Sequence, residues 1–242
     1  MCGRFVRSFT TQELVDDLRL MLPVLTELDS HDIEPDYNVA PTTLIPMVRP
    51  SQSGCKLSSA HWGFQFVQHA EEQRNNRSLV INARTETLVE KPMFRHLLKE
   101  NRCLVPMDGF YEWKRNSSNS IPYFIHRKDR KRMWVAALWR TDTNSSVGNT
   151  RRSLVLLTRD ATKDLAHIHD RCPVSLGLED GVKWLQESDY ARLISYFQIN
   201  DSITQFESWT VGPSVNSVRN NSPRLMEPFE HSKVQSLFDD LL

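Results

Sequence analysis

The chain has 242 residues, of which 39% are hydrophobic and 25% are charged, and only eight are glycine. This composition excludes collagen-like, glycine-rich and membrane-spanning classes, and it predicts a water-soluble globular protein of one large domain or two small ones. Thirty Lys and Arg balance thirty Asp and Glu, so the formal net charge is zero. Because no overall field favours a nucleic-acid or a cationic partner, the charge balance lowers the expectation of DNA binding.

The start of the chain shows no targeting segment. Residues 1–25 hold six charged side chains and no apolar stretch as long as a signal peptide or a membrane span, so we expect a cytoplasmic protein. The cysteines are widely spread without a CxxC pair, which in a reducing compartment predicts free thiols: Cys2, Cys55, Cys103 and Cys172.

A zinc site is one interpretation of the sequence HIHDRC, which brings Cys172 close to His167 and His169. The spacing of these three residues matches no standard zinc pattern, so we predict no metal and no cofactor. The alternative for Cys103 and Cys172 is that each packs as a small buried hydrophobe.

The predicted elements begin with a helix over residues 10–22, where Thr10 and Glu13 have the spacing of a capping box. Short strands follow at 44–48, 79–82, 102–107, 121–126, 133–139 and 153–158, and further helices at about 89–100, 180–197 and 231–241. This order predicts an α+β fold, a single domain with a mostly antiparallel sheet or open barrel flanked by helices.

Three polar segments separate predicted strands. Residues 114–120 and 141–152 are rich in turn formers and predict hairpin connections. Residues 126–132, HRKDRKR, concentrate basic charge at a further turn. This run is either a solvated hairpin tip or a contact to phosphate, and the sequence leaves both open.

Cys2 carries the most unusual chemistry. Removal of Met1 would leave an α-amine and a thiol on one residue, and with a pKa of about 7.7–8.0 roughly a tenth of such an amine is unprotonated at neutral pH. A neutral amine attacks an aldehyde to form an imine, and the thiol then closes a five-membered thiazolidine. Cys2 is therefore suited to trap a carbonyl compound; the alternative is an incidental small residue behind a retained Met1.

Other polar residues interrupt apolar runs. In SLVINARTET, Asn82, Arg84 and Glu86 alternate, so on a strand their side chains share one face; the alternative is a solvated strand end. Glu112 lies between two aromatic residues, an arrangement that raises a carboxyl pKa towards general-acid use, unless the aromatic rings face away from it. His169 is either a structural histidine or the partner that completes a covalent catalytic set with Cys2, Asn82 and Glu112.

Nine motifs stand in a characteristic order along the chain: MCGR (1–4), YNVAPT (37–42), HWGF (61–64), NARTET (82–87), RCLVPMDGFYEWK (102–114), IPYF (121–124), AALW (136–139), LTRDAT (157–162) and IHDRCPV (168–174). Together they resemble the SOS-response-associated peptidases, the SRAP family of abasic-site-processing proteins. The similarity runs from Cys2 to about Pro228 and includes the late stretch VGPSVNSVRNNSPRL. It implies a SRAP-like domain over residues 1–230, followed by a helical tail over 231–242.

The resemblance implies a sensor of abasic sites in single-stranded DNA that protects the strand during the DNA damage response. Cys2 would form a thiazolidine crosslink with the opened sugar, Asn82 would hydrogen-bond that sugar, Glu112 would act as acid and base, and His169 would assist proton transfer and reversal. Family members are also credited with removing their own Met1, and with lyase-like activity. The implied DNA contacts come from Arg4, Pro41, Arg84, Trp113 and Thr158.

Two positions depart from the family pattern. After the WG of HWGF the family usually continues with a Pro and a second Trp, whereas this chain reads FQFV over 64–67, and Phe66 is a candidate replacement for the missing ring. Cys172 stands where Met or Arg is usual before the Pro. We expect a monomer without a membrane partner. Two other functions stay open: a thiol peptidase acting on other proteins, and a non-catalytic binder of single-stranded DNA.

Overall fold

A computed structural model describes residues 2–21, 25–29, 32–52, 54–67, 77–115, 119–143, 150–199 and 205–229. Its helices are α1 (Thr11–Met21), α2 (Pro92–Glu100), α3 (Leu178–Gln186) and α4 (Tyr190–Ile199). Its strands are β1 (Arg4–Arg7), β2 (Leu25–Asp29), β3 (Asp36–Val39), β4 (Leu44–Ser51), β5 (Gly54–Trp62), β6 (Phe64–Val67), β7 (Arg77–Val80), β8 (Asn82–Arg84), β9 (Arg102–Met107), β10 (Gly109–Arg115), β11 (Ser120–Arg127), β12 (Met133–Thr143), β13 (Thr150–Asp160), β14 (Arg171–Pro173), β15 (Ser175–Leu176) and β16 (Phe206–Thr210).

The predicted helices correspond to α1, α2 and the pair α3 and α4. The capping box of α1 is confirmed: the Glu13 carboxylate accepts from the Thr10 backbone N–H at 2.8 Å, and Thr10 Oγ1 accepts from the Glu13 N–H at 3.4 Å. The single helix predicted over 180–197 is wrong. Asp189 accepts a hydrogen bond from the Arg192 backbone N–H and starts a new helix there. The helix predicted over 231–241 lies outside the described residues.

The predicted strands are confirmed at 102–107 and, with longer ends, at 44–48, 121–126, 133–139 and 153–158. The strand predicted over 79–82 is two strands, β7 and β8, which pair with different partners. The hairpin connections are also confirmed, because Arg115 pairs with Ser120 and Thr143 pairs with Thr150.

Two main sheets build the fold. The smaller sheet has the order β16-β11-β10-β1-β3, and its pairings are antiparallel. In the larger sheet β13, β12, β9, β4 and β5 are neighbours in turn, and β13 also pairs with β5. That last pairing closes these five strands into a barrel. The predicted α+β class with a mostly antiparallel sheet is confirmed, and the parallel pairs within the described residues are β13 with β5, β13 with β8, and β2 with β5.

Side-chain alternation along the strands produces three apolar layers. On β9, Cys103 and Val105 face the layer between the two sheets, while Leu104 faces the opposite layer, where the larger sheet packs against the helices. A third layer covers the outer face of the smaller sheet and includes Val215 and Leu225 from the chain after β16. The helices in the described residues are all too short or too polar to span a membrane.

Candidate active site

Cys2 lies just before β1, at one end of the smaller sheet, where β1 stands between β10 and β3. β1 pairs with β10 through Arg4 and Tyr111, and with β3 through Phe5 and Val39. Both pairings are antiparallel, so the end of β10 that carries Glu112 and the turn that follows β3 lie at the same end as Cys2. The Cys2 side chain is fully buried in the layer between the sheets.

Asn82 connects Cys2 to the larger sheet. Its Nδ2 donates to the Cys2 backbone carbonyl oxygen at 2.9 Å. Asn82 is placed by the parallel pairing of β8 with β13, where it lies opposite Leu156. Its Oδ1 is buried and accepts no hydrogen bond from the described residues. The side chain therefore holds the start of the chain with one atom and leaves the other available to a ligand.

The buried Glu112 and the partly exposed His169 form a pair beside Cys2. Glu112 Oε1 lies 3.5 Å from His169 Nε2, and the Glu112 side chain is 7% exposed. Burial raises the pKa of the Cys2 thiol, and the negative charge of Glu112 raises it further. The thiol is therefore held in its protonated form, and its use as a nucleophile requires a base.

His169 Nδ1 has two contacts that favour opposite protonation states. The Arg171 backbone N–H donates to Nδ1 at 2.9 Å, which requires a lone pair there and places the ring proton on Nε2, towards Glu112. Asp170 Oδ1 lies 2.7 Å from the same atom and favours a proton on it. Together the two contacts fix the orientation of the ring, with Nε2 directed at Glu112 Oε1.

The sequence did not foresee the role of Arg171. Its guanidinium donates to both carboxylate oxygens of Glu86, at 2.7 and 2.8 Å, and to Asp160 Oδ1 at 2.5 Å. Arg171 thus fixes the segment after Asn82 to β13 and β14 while its backbone orients His169. The only sequence signal for it was its place in the motif IHDRCPV.

The prediction that Glu86 shares one strand face with Asn82 and Arg84 is wrong. β8 ends at Arg84, and residues Thr85–Thr87 form a single 3-10 turn. This turn rotates the Glu86 carboxylate towards Arg171. Arg84 itself is exposed, and no hydrogen bond or ion pair from the described residues holds its guanidinium.

Arg4 and Trp113 lie together on the outer face of the smaller sheet. Arg4 Nη1 donates to Asn38 Oδ1 at 2.7 Å and to the Val215 carbonyl oxygen at 3.0 Å, and its guanidinium carbon lies 5.8 Å from the Trp113 ring centroid. Trp113 Nε1 donates to Asn216 Oδ1 at 2.8 Å. Thr158 is also near the site, because it lies opposite Arg84 on β13, but its side chain is fully buried.

Pro41 occupies a turn that carries unusual backbone strain. Thr42, which follows it, has φ 74°, a rare conformation for a β-branched residue. The turn is held by hydrogen bonds from the Thr42 N–H to the Trp62 carbonyl and from the Trp62 N–H to the Thr43 carbonyl. Such strain concentrates at functional sites. Apart from Pro41, no residue of this segment predicts the positive φ of Thr42.

The HWGF motif supports the backbone segment that carries Asn82. Trp62 is fully buried, and its Nε1 donates to the Ile81 carbonyl oxygen, one residue before Asn82. Gly63 has φ +117°, and a Cβ there would lie 2.6 Å from Leu79 Cδ1, so only glycine fits. Phe66 is half-buried, and the Arg140 guanidinium carbon lies 4.6 Å from its ring centroid.

The basic run over 126–132 is largely matched by carboxylates. Arg127 donates to both oxygens of Asp129, Arg130 lies 3.8 Å from Glu207, and Arg132 pairs with Asp17 and Asp108. These contacts favour the hairpin-tip interpretation over a phosphate contact. They lie at the end of the smaller sheet opposite Cys2.

The cysteines are free thiols, and all four are buried. Cys172 Sγ donates to the Asp160 carbonyl oxygen at 3.5 Å. Within the residues that the structure describes, no three His, Cys, Asp or Glu side chains are grouped as in a metal site.

Comparisons with known proteins give a consistent result. A family model described as SOS response associated peptidase (SRAP) matches residues 1–218. The abasic site processing protein YoqW of Bacillus subtilis is 35% identical over 230 residues, which cover 94% of this chain and 99% of that protein. YedK of Escherichia coli, with the same description, is 28% identical over 236 residues, covering 94% and 100%. HMCES of Xenopus tropicalis, also described as an abasic site processing protein, is 29% identical over 231 residues, covering 82% and 67%.

The fold is shared with solved structures. A crystal structure of a protein from Bacteroides thetaiotaomicron matches with a TM-score of 0.73 at 21% identity, covering 95% of this chain and 100% of that chain. The family match spans most of the sequence, and it agrees with the residues assembled around Cys2. The chain therefore belongs to the SOS response associated peptidase (SRAP) family.

Proposed function

We propose that this protein processes abasic sites in single-stranded DNA by capturing the opened sugar covalently on Cys2. The observation that carries the proposal is the hydrogen bond from Asn82 to the Cys2 carbonyl, which fixes the start of the chain beside the Glu112–His169 pair. The names of the relatives, abasic site processing proteins, support the same substrate.

The chemistry requires Met1 to be removed, so that Cys2 has a free α-amine. An opened abasic sugar presents an aldehyde, and the amine nitrogen attacks its carbon. The carbinolamine loses one water to give an imine. The thiol sulfur then adds to the imine carbon, its proton passes to the nitrogen, and a thiazolidine ring closes. The balance is one aldehyde and one aminothiol in, one thiazolidine and one water out.

Burial of the thiol sets the order of these steps. Because the pKa of the Cys2 thiol is raised, the amine is the first nucleophile and the sulfur follows. Glu112 donates the proton that lets hydroxide leave as water and takes up the proton that the nitrogen loses as the imine forms. At ring closure Glu112 gives this proton back to the nitrogen and accepts the thiol proton in its place. His169, with Nε2 directed at Glu112, exchanges protons with it and serves the reverse reaction.

Asn82 and Arg84 are suited to binding the substrate rather than to transferring protons. Asn82 Oδ1 is an available buried acceptor for a hydroxyl of the opened sugar. Arg84, on the same short strand, is an exposed cation suited to a neighbouring phosphate. Arg4 and Trp113 extend the polar rim on the other side of Cys2, with Pro41 and Thr158 as the predicted walls.

Thiol capture protects the strand. An imine acidifies the neighbouring sugar carbon, and the resulting β-elimination cuts the DNA. Ring closure by sulfur consumes the imine, so the strand survives in crosslinked form. This is the physical reason for a cysteine, rather than any other residue with a free amine, at this position.

A thiol peptidase acting on other proteins is a weaker alternative. Its nucleophile would be a thiolate, and catalytic thiols have lowered pKa values. Here burial raises the pKa of Cys2, and the carboxylate of Glu112 beside it opposes ionisation further. A non-catalytic single-strand binder, the other alternative, predicts a retained Met1 and no adduct.

Intact mass measurement tests the proposal. The wild type should lack Met1 and, after incubation with an abasic oligonucleotide, gain the oligonucleotide mass minus one water. Cys2→Ser should bind and nick the strand without a heat-stable adduct. Cys172→Ser, which removes a different buried thiol of the same layer, should keep the adduct. A wild type with Met1 retained and no adduct contradicts the proposal, and a heat-stable Cys2→Ser adduct contradicts the thiazolidine.

Self-removal of Met1 has its own control. Cys2→Ala keeps a small second residue that a cellular aminopeptidase accepts. Both proteins are therefore made by cell-free translation without methionine aminopeptidase. If the protein removes its own Met1 through the Cys2 side chain, the wild type should lose Met1 there and Cys2→Ala should retain it. Retention of Met1 by both proteins assigns the step to the host.

A further inference from the structure

The chain after β16 forms a closed loop on the outer face of the smaller sheet. We define the closed loop as residues 212–227; it is closed at its base by the pairing of Val211 with Pro228. Compact surface loops with paired ends are frequently functional. The closed loop holds two arginines, Arg219 and Arg224, and one carboxylate, Glu227, which lies at its base. Its charge is therefore positive by one unit on a chain of zero net charge.

The closed loop begins at the same end of the sheet as Cys2. β16 runs antiparallel to β11 with Thr210 opposite Tyr123, and Tyr123 lies opposite Glu112 on β10. The chain leaves β16 directly after Thr210. The first residues of the loop thus lie at the same height along the strands as Glu112, but on the outer face of the sheet.

Asn38 fixes the closed loop to the polar rim of the site. Its Nδ2 donates to the carbonyl oxygens of Ser217 and Asn220, both at 2.9 Å, while its Oδ1 accepts from Arg4 at 2.7 Å. Asn221 Oδ1 accepts from the Tyr37 backbone N–H at 2.8 Å. Asn38 thus holds both Arg4 and the middle of the loop, and the Tyr37 backbone holds the loop at Asn221.

The tip of the closed loop presents groups that the fold does not use. Val215 and Leu225 are buried against the sheet, whereas Val218 is 58% exposed. Arg219 beside it is exposed, and no contact from the described residues holds its guanidinium. The side chains of Val218 and Arg219 therefore do not contribute to packing, and both are open to a ligand on an ordered loop.

We propose that the closed loop is a second contact surface for the DNA strand, in which Arg219 binds a phosphate and Val218 packs on a base or sugar away from the abasic nucleotide. The inference rests on the proposed function. Two arguments select a nucleic-acid strand over a protein partner. The loop carries two arginines and has its one carboxylate at the base, away from Arg219, which matches a polyanion. The surface also continues the rim formed by Arg4 and Trp113.

A strand that binds both Cys2 and the closed loop leaves the site in one direction only. This polarity provides the test. Three oligonucleotides of equal length would carry the abasic nucleotide at the centre, near the 5′ end or near the 3′ end. Crosslinking rates are then measured against protein concentration and salt for the wild type, Arg219→Ala and Val218→Ser.

Arg219→Ala should raise the half-saturating concentration about fivefold at 0.1 M salt, and lower the slope of log affinity against log salt by about 0.7, the value for one phosphate contact on a single strand. This loss should occur with the central oligonucleotide and with one terminal oligonucleotide, but not with the other. The maximal rate should be unchanged. Val218→Ser should raise the half-saturating concentration without changing the salt slope.

Arg130→Ala is the matched control, because Arg130 is an exposed arginine at the opposite end of the sheet. It should behave as the wild type with all three oligonucleotides. An Arg219→Ala protein that also matches the wild type overturns the inference and leaves the proposed function intact. An equal fall in maximal rate with both terminal oligonucleotides assigns the loop to positioning Arg4 and also overturns it. A wild type that forms no adduct refutes the proposed function instead.

Discussion

The two ends of the smaller sheet differ in how their charges are matched. At the end opposite Cys2, Arg127 pairs with Asp129, and Arg132 pairs with Asp17 and Asp108. At the Cys2 end, the exposed guanidiniums of Arg84 and Arg219 have no partner among the described residues. Both ends carry several arginines, but among the described residues those of the run 126–132 lie beside carboxylates, whereas Arg84 and Arg219 do not.

This difference shows why a net charge of zero is a poor guide to binding. Net charge sums over the whole surface, whereas a single strand contacts only the groups that lie along its path. The run HRKDRKR looks the more basic in sequence, yet its carboxylate partners come from α1, from the start of β10 and from β16. Partners so distant in sequence are visible only in the fold.

The substitution with the largest expected effect tests whether crosslinking depends on the groups at the Cys2 end of the sheet. Glu112→Gln removes the acid and base beside Cys2 and should slow crosslinking by about 10²–10⁴-fold, measured in single turnover with saturating protein. Glu207→Gln, the same change on the same sheet at the opposite end, should leave the rate unchanged. A fall of less than threefold for Glu112→Gln would show that the carboxyl is structural.

The next effect tests whether the opposite end serves stability alone. Arg132→Met removes the guanidinium shared by Asp17 and the largely buried Asp108, and should reduce the free energy of unfolding by about 2 kcal/mol. Urea denaturation measures the loss. Affinity for undamaged single-stranded DNA should stay at the wild-type value in folded protein, and a lowered affinity would place DNA at this end as well.

The smallest effect compares two arginines directly. Arg84→Ala should weaken binding to undamaged single-stranded DNA about fivefold at 0.1 M salt and reduce the salt slope by about 0.7. Arg127→Ala should change neither, because its guanidinium is already held by Asp129. Fluorescence anisotropy over a salt series measures both. Equal slopes of log affinity against log salt for the two variants would show that the two ends of the sheet do not differ in their contact with DNA.

Much of the fold follows from local sequence signals. The capping box at Thr10 and the apolar run over 102–107 gave a helix and a strand, because each signal depends on residues close together in the chain. Strands such as β3 and β8 have three or four residues and exist through their partners. The division of the predicted helix 180–197 needed the cap at Asp189, which looks like any other polar residue in the sequence.

The sequence analysis named the residues that the structure brings together around Cys2, but not the contacts that hold them in place. Chemistry singled out Cys2, and position among apolar residues singled out Asn82 and Glu112. The structure adds the Cys2–Asn82 hydrogen bond and the Glu112–His169 contact. The supports are long-range contacts, such as that of Arg171 with Glu86, 85 residues away, and no local pattern encodes them.

The contact between Arg4 and Val215 has a consequence for the order of folding. The two residues are 211 positions apart, so the rim around Cys2 is complete only when nearly the whole chain has been synthesised. Chains grow from the amino end, and contacts of such separation form late. The reactive end of the protein is thus the first part made and among the last to be assembled. A nascent or truncated chain therefore carries Cys2 without the completed rim around it.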